Sequence, residues 1–352
     1  MKNNNLTKMV MLLLFVVASF AVAQTDSTIA AVAADTTVAA VAVEVAPAPE
    51  VVAAPEAPKK AKQKYTGPMP CASVNSHNGS LVPVGTYVVI SKHFNVTKDE
   101  LLDGTDVIDF ISPGAAAFGY QELQTAFRTG VIKGVDFRLI TSYFSKTLDR
   151  LKPDGSEFSD DNSGFGDFKL IGRYGVMNKK TGPANVIVGL GTTIPVGSSD
   201  AVDANGALLP ASMQLSSGSF NPIFEVGLHQ IKKRNWNSLY VSYMLAMEGD
   251  LGPNDFTRSS VLRYNYAYAY AAHQKLDVGF ELNGEVKSKA ELNGVEMDVT
   301  GGHTLYLSPE AHYKITKTIH LGICMPTIIY QDLNGPQLGG GSMIVTKFDV
   351  KF

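Results

Sequence analysis

Ile344-Val345-Thr346-Lys347-Phe348-Asp349-Val350-Lys351-Phe352 decides the fold. From Phe348 on, the even positions are apolar and the odd ones charged or polar, the period of two of a β-strand. A water-soluble protein could bury that apolar row only against a second layer. A strand with apolar groups outward and polar groups inward suits a closed barrel in lipid.

Working back along the chain, the same division recurs. Phe168, Leu170, Tyr174 and Val176 share one face, with Asp167, Lys169 and Arg173 on the other. Leu276, Val278, Phe280 and Leu282 oppose Asp277, Glu281, Asn283 and Glu285, and Tyr264, Tyr266, Tyr268 and Tyr270 oppose Arg263 and Asn265. The pattern predicts strands at 86–96, 118–130, 134–147, 165–178, 183–196, 219–231, 236–248, 258–272, 275–288, 303–314, 318–330 and 341–352. The expected fold is therefore all-β, a transmembrane antiparallel up-and-down β-barrel of about twelve strands, an even number as bacterial single-chain barrels have. Connections after every second strand are short, at Val131 to Lys133, Asn178 to Gly182, Lys232 to Asn235, His273 with Gln274 and Ile315 to Lys317. The alternate ones, at 97–117, 148–164, 197–218, 249–257, 289–302 and 331–340, are longer. Short periplasmic turns alternating with long outside loops are the topology of such barrels, and a β-sandwich has no reason to show it. Pro222, Pro309 and Pro326 fall inside predicted strands, where each removes a ladder donor, so bulges are expected there. Tyr143, Tyr174, Tyr243, Tyr330 and Phe352, with Trp236 beside the turn Lys232-Lys233-Arg234-Asn235, are expected to form aromatic girdles at the membrane surfaces.

The other end of the chain fits that compartment. Lys2 and Lys8 precede an apolar run from Met9 to Ala21, too short to span a bilayer, and Ala21-Val22-Ala23 before Gln24 has the pattern of a cleavage site. Residues 1–23 read as a removed secretory signal rather than a retained anchor, and no Cys lies near the site to carry a lipid. Residues 24–84 are an Ala/Pro-rich linker, with Pro47, Pro49, Pro55 and Pro58 and then Lys59, Lys60, Lys62 and Lys64. Small apolar groups interrupted by Pro cannot build a core, so a disordered tether on the periplasmic side is expected. It either touches the cell wall through its basic cluster or has no partner. For Cys71 to Leu81 the expectation is disorder, with a small plug at the periplasmic mouth as the alternative. Residues 85–352 form the barrel, which places the chain in a bacterial outer membrane with tether and C-terminus in the periplasm. A formal net charge of −3 with 18% charged residues offers no basic surface for nucleic acid. Whether Cys71 and Cys324, the two cysteines, pair is left open by the sequence.

Gly164-Phe165-Gly166-Asp167-Phe168-Lys169-Leu170, followed by Val188-Gly189-Leu190-Gly191-Thr192-Thr193-Ile194-Pro195-Val196-Gly197, resembles the meta-pathway phenol-degradation family of outer-membrane transporters. The likeness continues through Leu215-Ser216-Ser217-Gly218-Ser219-Phe220-Asn221-Pro222, Gly252-Pro253-Asn254-Asp255 and Leu276 to Asn283, and Pro-Val-Gly stands where the family has Pro-Thr-Gly. It covers about a third of the chain well. It implies a transport barrel without fixing a substrate. The aromatic Phe352 after the last strand also resembles the C-terminal signature of outer-membrane barrels generally.

If the apolar faces meet lipid, the lumen receives Glu122, Arg128, Asp136, Arg138, Asp167, Lys169, Arg173, Glu225, His229, Arg263, Asp277, Glu281, Glu285, Glu310, His312, Lys347 and Asp349, with somewhat more acid than base. The expected solute path has Arg138, Arg173 and Arg263 as its positive row and Glu225, Glu281 and Glu285 as its negative one, with Asp167 and Lys169 beside them. Such rows would orient a small aromatic or amphipathic solute moving passively between outer-membrane lipid walls. The alternative is a salt-bridged, closed lumen in a structural or envelope-tethering barrel. His77-Asn78-Gly79-Ser80 is similar to the His/Ser/Asn-Gly grouping of outer-membrane phospholipases, but it precedes the first strand, where that chemistry has no place. No spacing of ligands or glycines calls for a metal or cofactor, and no catalytic residue is expected.

Overall fold

Alternation along so many segments leaves each strand with one face that only lipid can cover, and the chain resolves this as a closed antiparallel barrel of twelve strands. The computed structural model describes residues 67–75, 80–110, 114–177 and 184–352. The strands are β1 (Tyr87–Lys98), β2 (Gly114–Ile132), β3 (Val135–Leu151), β4 in two pieces (Glu157–Phe165 and Phe168–Met177), β5 (Asn185–Ile194) and β6 (Pro222–Lys232). They continue as β7 (Asn235–Met244), β8 (Val261–Ala271), β9 (Leu276–Lys287), β10 (Gly302–Lys314), β11 in two pieces (Ile319–Cys324 and Thr327–Gly339) and β12 (Ser342–Lys351). Each pairs with its neighbours in the chain, and β1 pairs with β12 from Val88↔Lys351 to Thr97↔Ser342. Tyr87 and Phe352 finish that seam by exchanging backbone hydrogen bonds of 3.3 and 2.9 Å. Closure gives every strand two partners, the condition for placing a sheet in hydrocarbon.

All twelve expected strands are present, and the differences lie at the loop end. β2 and β3 reach outward to Gly114 and Leu151, β4 begins at Glu157, and β11 runs on to Gly339. The expected loops at 148–164 and 331–340 are therefore mostly strand, closed by tight turns at Lys152–Ser156 and Gly340-Gly341. The outer face of these extensions is polar, where Thr147 Oγ1 donates to Asp161 at 2.9 Å, and the inner face mixes Leu148, packed on Leu209 and Met213, with the Arg150–Asp160 pair at 3.1 Å. Strands of that kind carry no apolar row on the outside and so no alternation to read. The remaining long connections carry short hairpins, Glu100–Gly104 with Asp106–Ile108, and a separate four-stranded sheet from Glu248–Leu251, Asn254–Thr257, Ala290–Leu292 and Val295–Met297.

The prolines act as position requires. Pro222 is the first residue of β6 and needs no bulge. Pro309 and Pro326 share one defect: the Pro309 carbonyl accepts from Met325 N at 3.2 Å, so its missing donor points at the break in β11, where Met325-Pro326 leave the ladder. The register shifts just beyond, between Leu305 and Tyr306.

Polarity is inverted relative to a water-soluble fold. Leu123, Phe127, Leu190, Phe280 and Phe348 stand 39–62% exposed on the outside, while Arg138, Arg173, Asp136, Glu281 and His312 are at most 2% exposed inside. Tyr143, Tyr174, Tyr330 and Phe352 are exposed as girdle residues should be. Trp236 is not one of them: it points inward, 2% exposed, and packs on Ala267 and Ala269 with Ala72 against the cluster.

The Gly166-Asp167 break in β4 allows a close crossing, because a Cβ at Gly166 would stand 2.5 Å from Phe144 Cε2. Gly166→Ala is expected to force that ring aside and lower stability by about 1–3 kcal/mol, measured as a lower temperature at which the folded band is lost on an SDS gel. The folded chain is also expected to need detergent to stay monodisperse, which sedimentation with and without detergent checks.

Candidate functional site

A chain segment crossing a lumen has amides with no strand partner, and each needs an acceptor. Residues 67–75 and 80–86 run inside the turn end of the barrel, and wall carboxylates supply those acceptors. Cys71 N donates to Asp277 Oδ2 at 2.7 Å, Val74 N to Glu310 Oε2 at 2.8 Å, Asn75 N to Glu281 Oε1 at 2.7 Å and Val82 N to Asp136 Oδ2 at 2.7 Å. Wall cations take the carbonyls: Lys314 Nζ donates to Met69 O at 2.6 Å, Lys347 Nζ to Ser73 O at 3.1 Å, Lys92 Nζ to Asn75 O at 2.6 Å and Arg128 Nη2 to Ser80 O at 2.7 Å. Val74 is fully buried against Cys324 and Val345, with Phe94 and Met343 beside them. This is a plug, where disorder was the expectation. Its partners lie as far as 275 positions away in sequence, so nothing local announces it. Both cysteines are free thiols.

A cavity of about 680 Å³ lies between this plug and the loop end. Asn75 lines it on the plug side, and Ser212, Leu215, Ser217 and Asn221 line it from the connection between β5 and β6, which folds inward. That loop is gripped from the wall. Lys146 Nζ donates to Ser212 O at 2.9 Å and Gln214 O at 2.7 Å, Arg258 donates to Ser216 O, and Asp167 Oδ2 accepts from both N and Oγ of Ser217 at 2.9 Å. Asn221 Nδ2 reaches Thr193 Oγ1 and Ser217 Oγ, both at 2.9 Å. Gly218, at φ +68°, lets the chain pass where a Cβ would meet Asp250 N at 2.6 Å. The Gly- and Ser-rich phrases that carry the family resemblance are thus the ones that fold this loop into the barrel.

The expected solute-path residues divide between plug and chamber. Arg138 and Glu225 form a buried ion pair on the chamber wall. Glu285 joins two cations there, Arg263 at 2.7 Å and Lys287 at 2.6 Å. Asp167 and Lys169 also line the chamber. Arg173 and Glu281 belong to the plug instead: Arg173 holds Asp136 at 2.7 and 2.6 Å, and Glu281 holds Asn75. The expected surplus of acid is not found, because Lys92, Lys98, Lys146, Lys287, Arg258 and Lys314 also point into the lumen. Asp136, Asp277, Glu281 and Glu310 are engaged at the turn end, while the chamber is lined by Lys98, Lys146, Lys169, Lys287, Arg138, Arg258 and Arg263 against Glu122, Asp167, Glu225 and Glu285. Lys98 and Lys146 were absent from the expected lumen set, although extending the inward rows Phe94-Val96-Lys98 and Ser142-Phe144-Lys146 by one pleat finds them. Rings of Phe94, Phe118, Tyr120, Phe144, Tyr240 and Tyr306 complete the wall.

The histidines have local partners: His229 meets Asn185 at 2.8 Å, His303 meets Tyr264 at 2.8 Å, His312 is buried beside Glu310, and His320 meets Asp349 at 2.9 Å. Among the described residues no cluster could hold a metal ion. His77 lies outside the described residues, and the Ser80 carbonyl is engaged by Arg128 and Arg173.

An inverted, closed barrel enclosing a charged chamber has the fold of outer-membrane channels. The chain belongs to the family described as "Putative MetA-pathway of phenol degradation", whose model matches residues 84–324. Among solved structures it is similar to the COG4313 outer membrane channel from Pseudomonas putida F1, at 12% identity and a TM-score of 0.61, over 80% of this chain and 100% of that one. The transport unit of the autotransporter AIDA-I from Escherichia coli is more distant, at 8% identity and a TM-score of 0.42, over 80% of this chain and 93% of that one. No curated protein matches the chain in sequence.

Asp136→Ala removes the carboxylate that Arg128 and Arg173 share in the wall and is expected to destabilise the barrel by about 3–5 kcal/mol, read from the same gel transition. In a Cys324→Ser background, Glu281→Ala with Glu310→Ala is expected to speed maleimide labelling of Cys71 at least about tenfold, since a hydrogen bond to a charged group contributes about 1.5–3 kcal/mol. An unchanged labelling rate would mean that these carboxylates do not hold the plug.

Proposed function

We propose that this chain is a passive outer-membrane channel for small solutes, aromatic or amphipathic ones among them, and that residues 67–75 and 80–82 close it at rest. The observation that carries this reading is the chamber. A barrel with only a structural role fills its interior with side chains, whereas this one keeps about 680 Å³ clear between charged and aromatic walls. The turn end, the tether and the C-terminus face the periplasm, following the usual placement of short turns. The plug then sits at the inner mouth, and the tether leads from it with Lys59, Lys60, Lys62 and Lys64 in reach of the cell wall.

One observation favours the alternative of a closed, envelope-tethering barrel, namely the number of charged hydrogen bonds that hold the plug. Those bonds, however, run from side chains to plug backbone, and among the described residues the backbone pairing between this segment and the strand wall is confined to the short contact of Val84 and Gly85 with Gly130. The segment can leave without opening the barrel ladder. Planar-bilayer recording tests this reading. The chain lacking residues 67–82 is expected to give discrete openings far more often than the intact one. Silence from a deletion variant that still shows the folded band on an SDS gel would refute the channel and leave the tethering barrel.

A further inference from the structure

We infer that the chamber selects anions, and that its ligand is a small organic anion with a flat apolar body. The inference deepens the channel reading and rests on it. Charge is distributed along the lumen rather than balanced at each level. The chain as a whole carries −3, yet the seven cations and four carboxylates that line the chamber leave it at +3. The turn end is balanced by contrast: the plug takes Asp136, Asp277, Glu281 and Glu310 as acceptors and Lys92, Arg128, Lys314 and Lys347 as donors, so the excess of cations belongs to the chamber.

Within the chamber the positive charge is only partly matched. Arg138 has Glu225 to itself, but Glu285 serves both Arg263 and Lys287. Lys146 and Arg258 spend their donors on uncharged carbonyls of the inward loop. Lys98 and Lys169 line the cavity, and neither makes an ion pair or hydrogen bond among the described residues. Arg263 remains 47% exposed along its side chain although it is enclosed by the barrel, so its open surface faces the chamber. A cleft lined by one sign of charge inside a low-dielectric wall concentrates the opposite ion.

The apolar part of the ligand follows from the opposite wall. Phe118, Tyr120 and Phe144 form a run of rings on β2 and β3, with centroids 5.9 and 6.4 Å apart. In a ring of twelve strands these lie across from β8 and β9, which carry Arg263 and Lys287. A flat anion between them would place its charge on one side and its apolar face on the other.

The test is reversal potential in a KCl gradient, recorded with the full chain and with the plug-loosened Glu281→Ala/Glu310→Ala variant, using benzoate and its uncharged isostere benzamide as probes. Chloride-selective openings are expected, with benzoate reducing the current and benzamide leaving it unchanged. Lys98→Gln with Lys169→Gln, which removes two charges that hold no partner among the described residues, is expected to move the reversal potential towards zero and to relieve the benzoate block. Openings that favour potassium, that ignore charge, or that keep their selectivity in the lysine variant would overturn the inference while leaving the channel intact. No openings from either protein, nor from the chain lacking residues 67–82, would instead overturn the channel reading beneath it.

Discussion

Hydrocarbon offers no partner to a backbone N–H or C=O, and the whole molecule follows from that. A ladder with a free edge would leave a row of such groups unpaired, so β12 must find β1, and the seam from Val88↔Lys351 to the Tyr87–Phe352 pair completes the ring. Once the ring is closed, the outer face has only lipid to meet and the inner face only water or protein. Large apolar residues go outward, and ion pairs such as Arg138–Glu225 and Arg173–Asp136 go inward.

The same constraint governs the lumen. Residues 67–75 and 80–82 lie within it without joining the sheet, so their amides and carbonyls are satisfied one at a time by side chains from β1, β2, β3, β4, β9, β10 and β12. The acceptors here are carboxylates and the donors Lys or Arg, in nearly equal number among the contacts of the turn end. The chamber carries the excess of cations, and the inward loop between β5 and β6 is held by two of them, Lys146 and Arg258. Closure and plug are thus consequences of one requirement met at two levels.

What the sequence disclosed was whatever repeats every two residues. Alternation located the membrane-spanning parts of all twelve strands and put Arg138, Arg263, Glu225 and Glu285 on the inner wall. It failed where alternation stops. The outward extensions of β3 and β4 are polar on their outer face, as Thr147 with Asp161 illustrates, and they read as loop. Trp236 beside a turn looked like a girdle residue, but it turns inward to cover Ala72 of the plug. Arg173 and Glu281 are buried inside the barrel, yet which level of the lumen they serve depends on a segment more than 90 positions away in the chain.

Amide hydrogen exchange of the intact chain in lipid nanodiscs tests the central claim most directly. If wall carboxylates satisfy the plug backbone inside a closed barrel, the amides of Cys71, Val74, Asn75 and Val82 should exchange slowly, on the timescale of the strands that enclose them. Exchange at the rate of an unstructured peptide at those four positions, with the strands still protected, would contradict it.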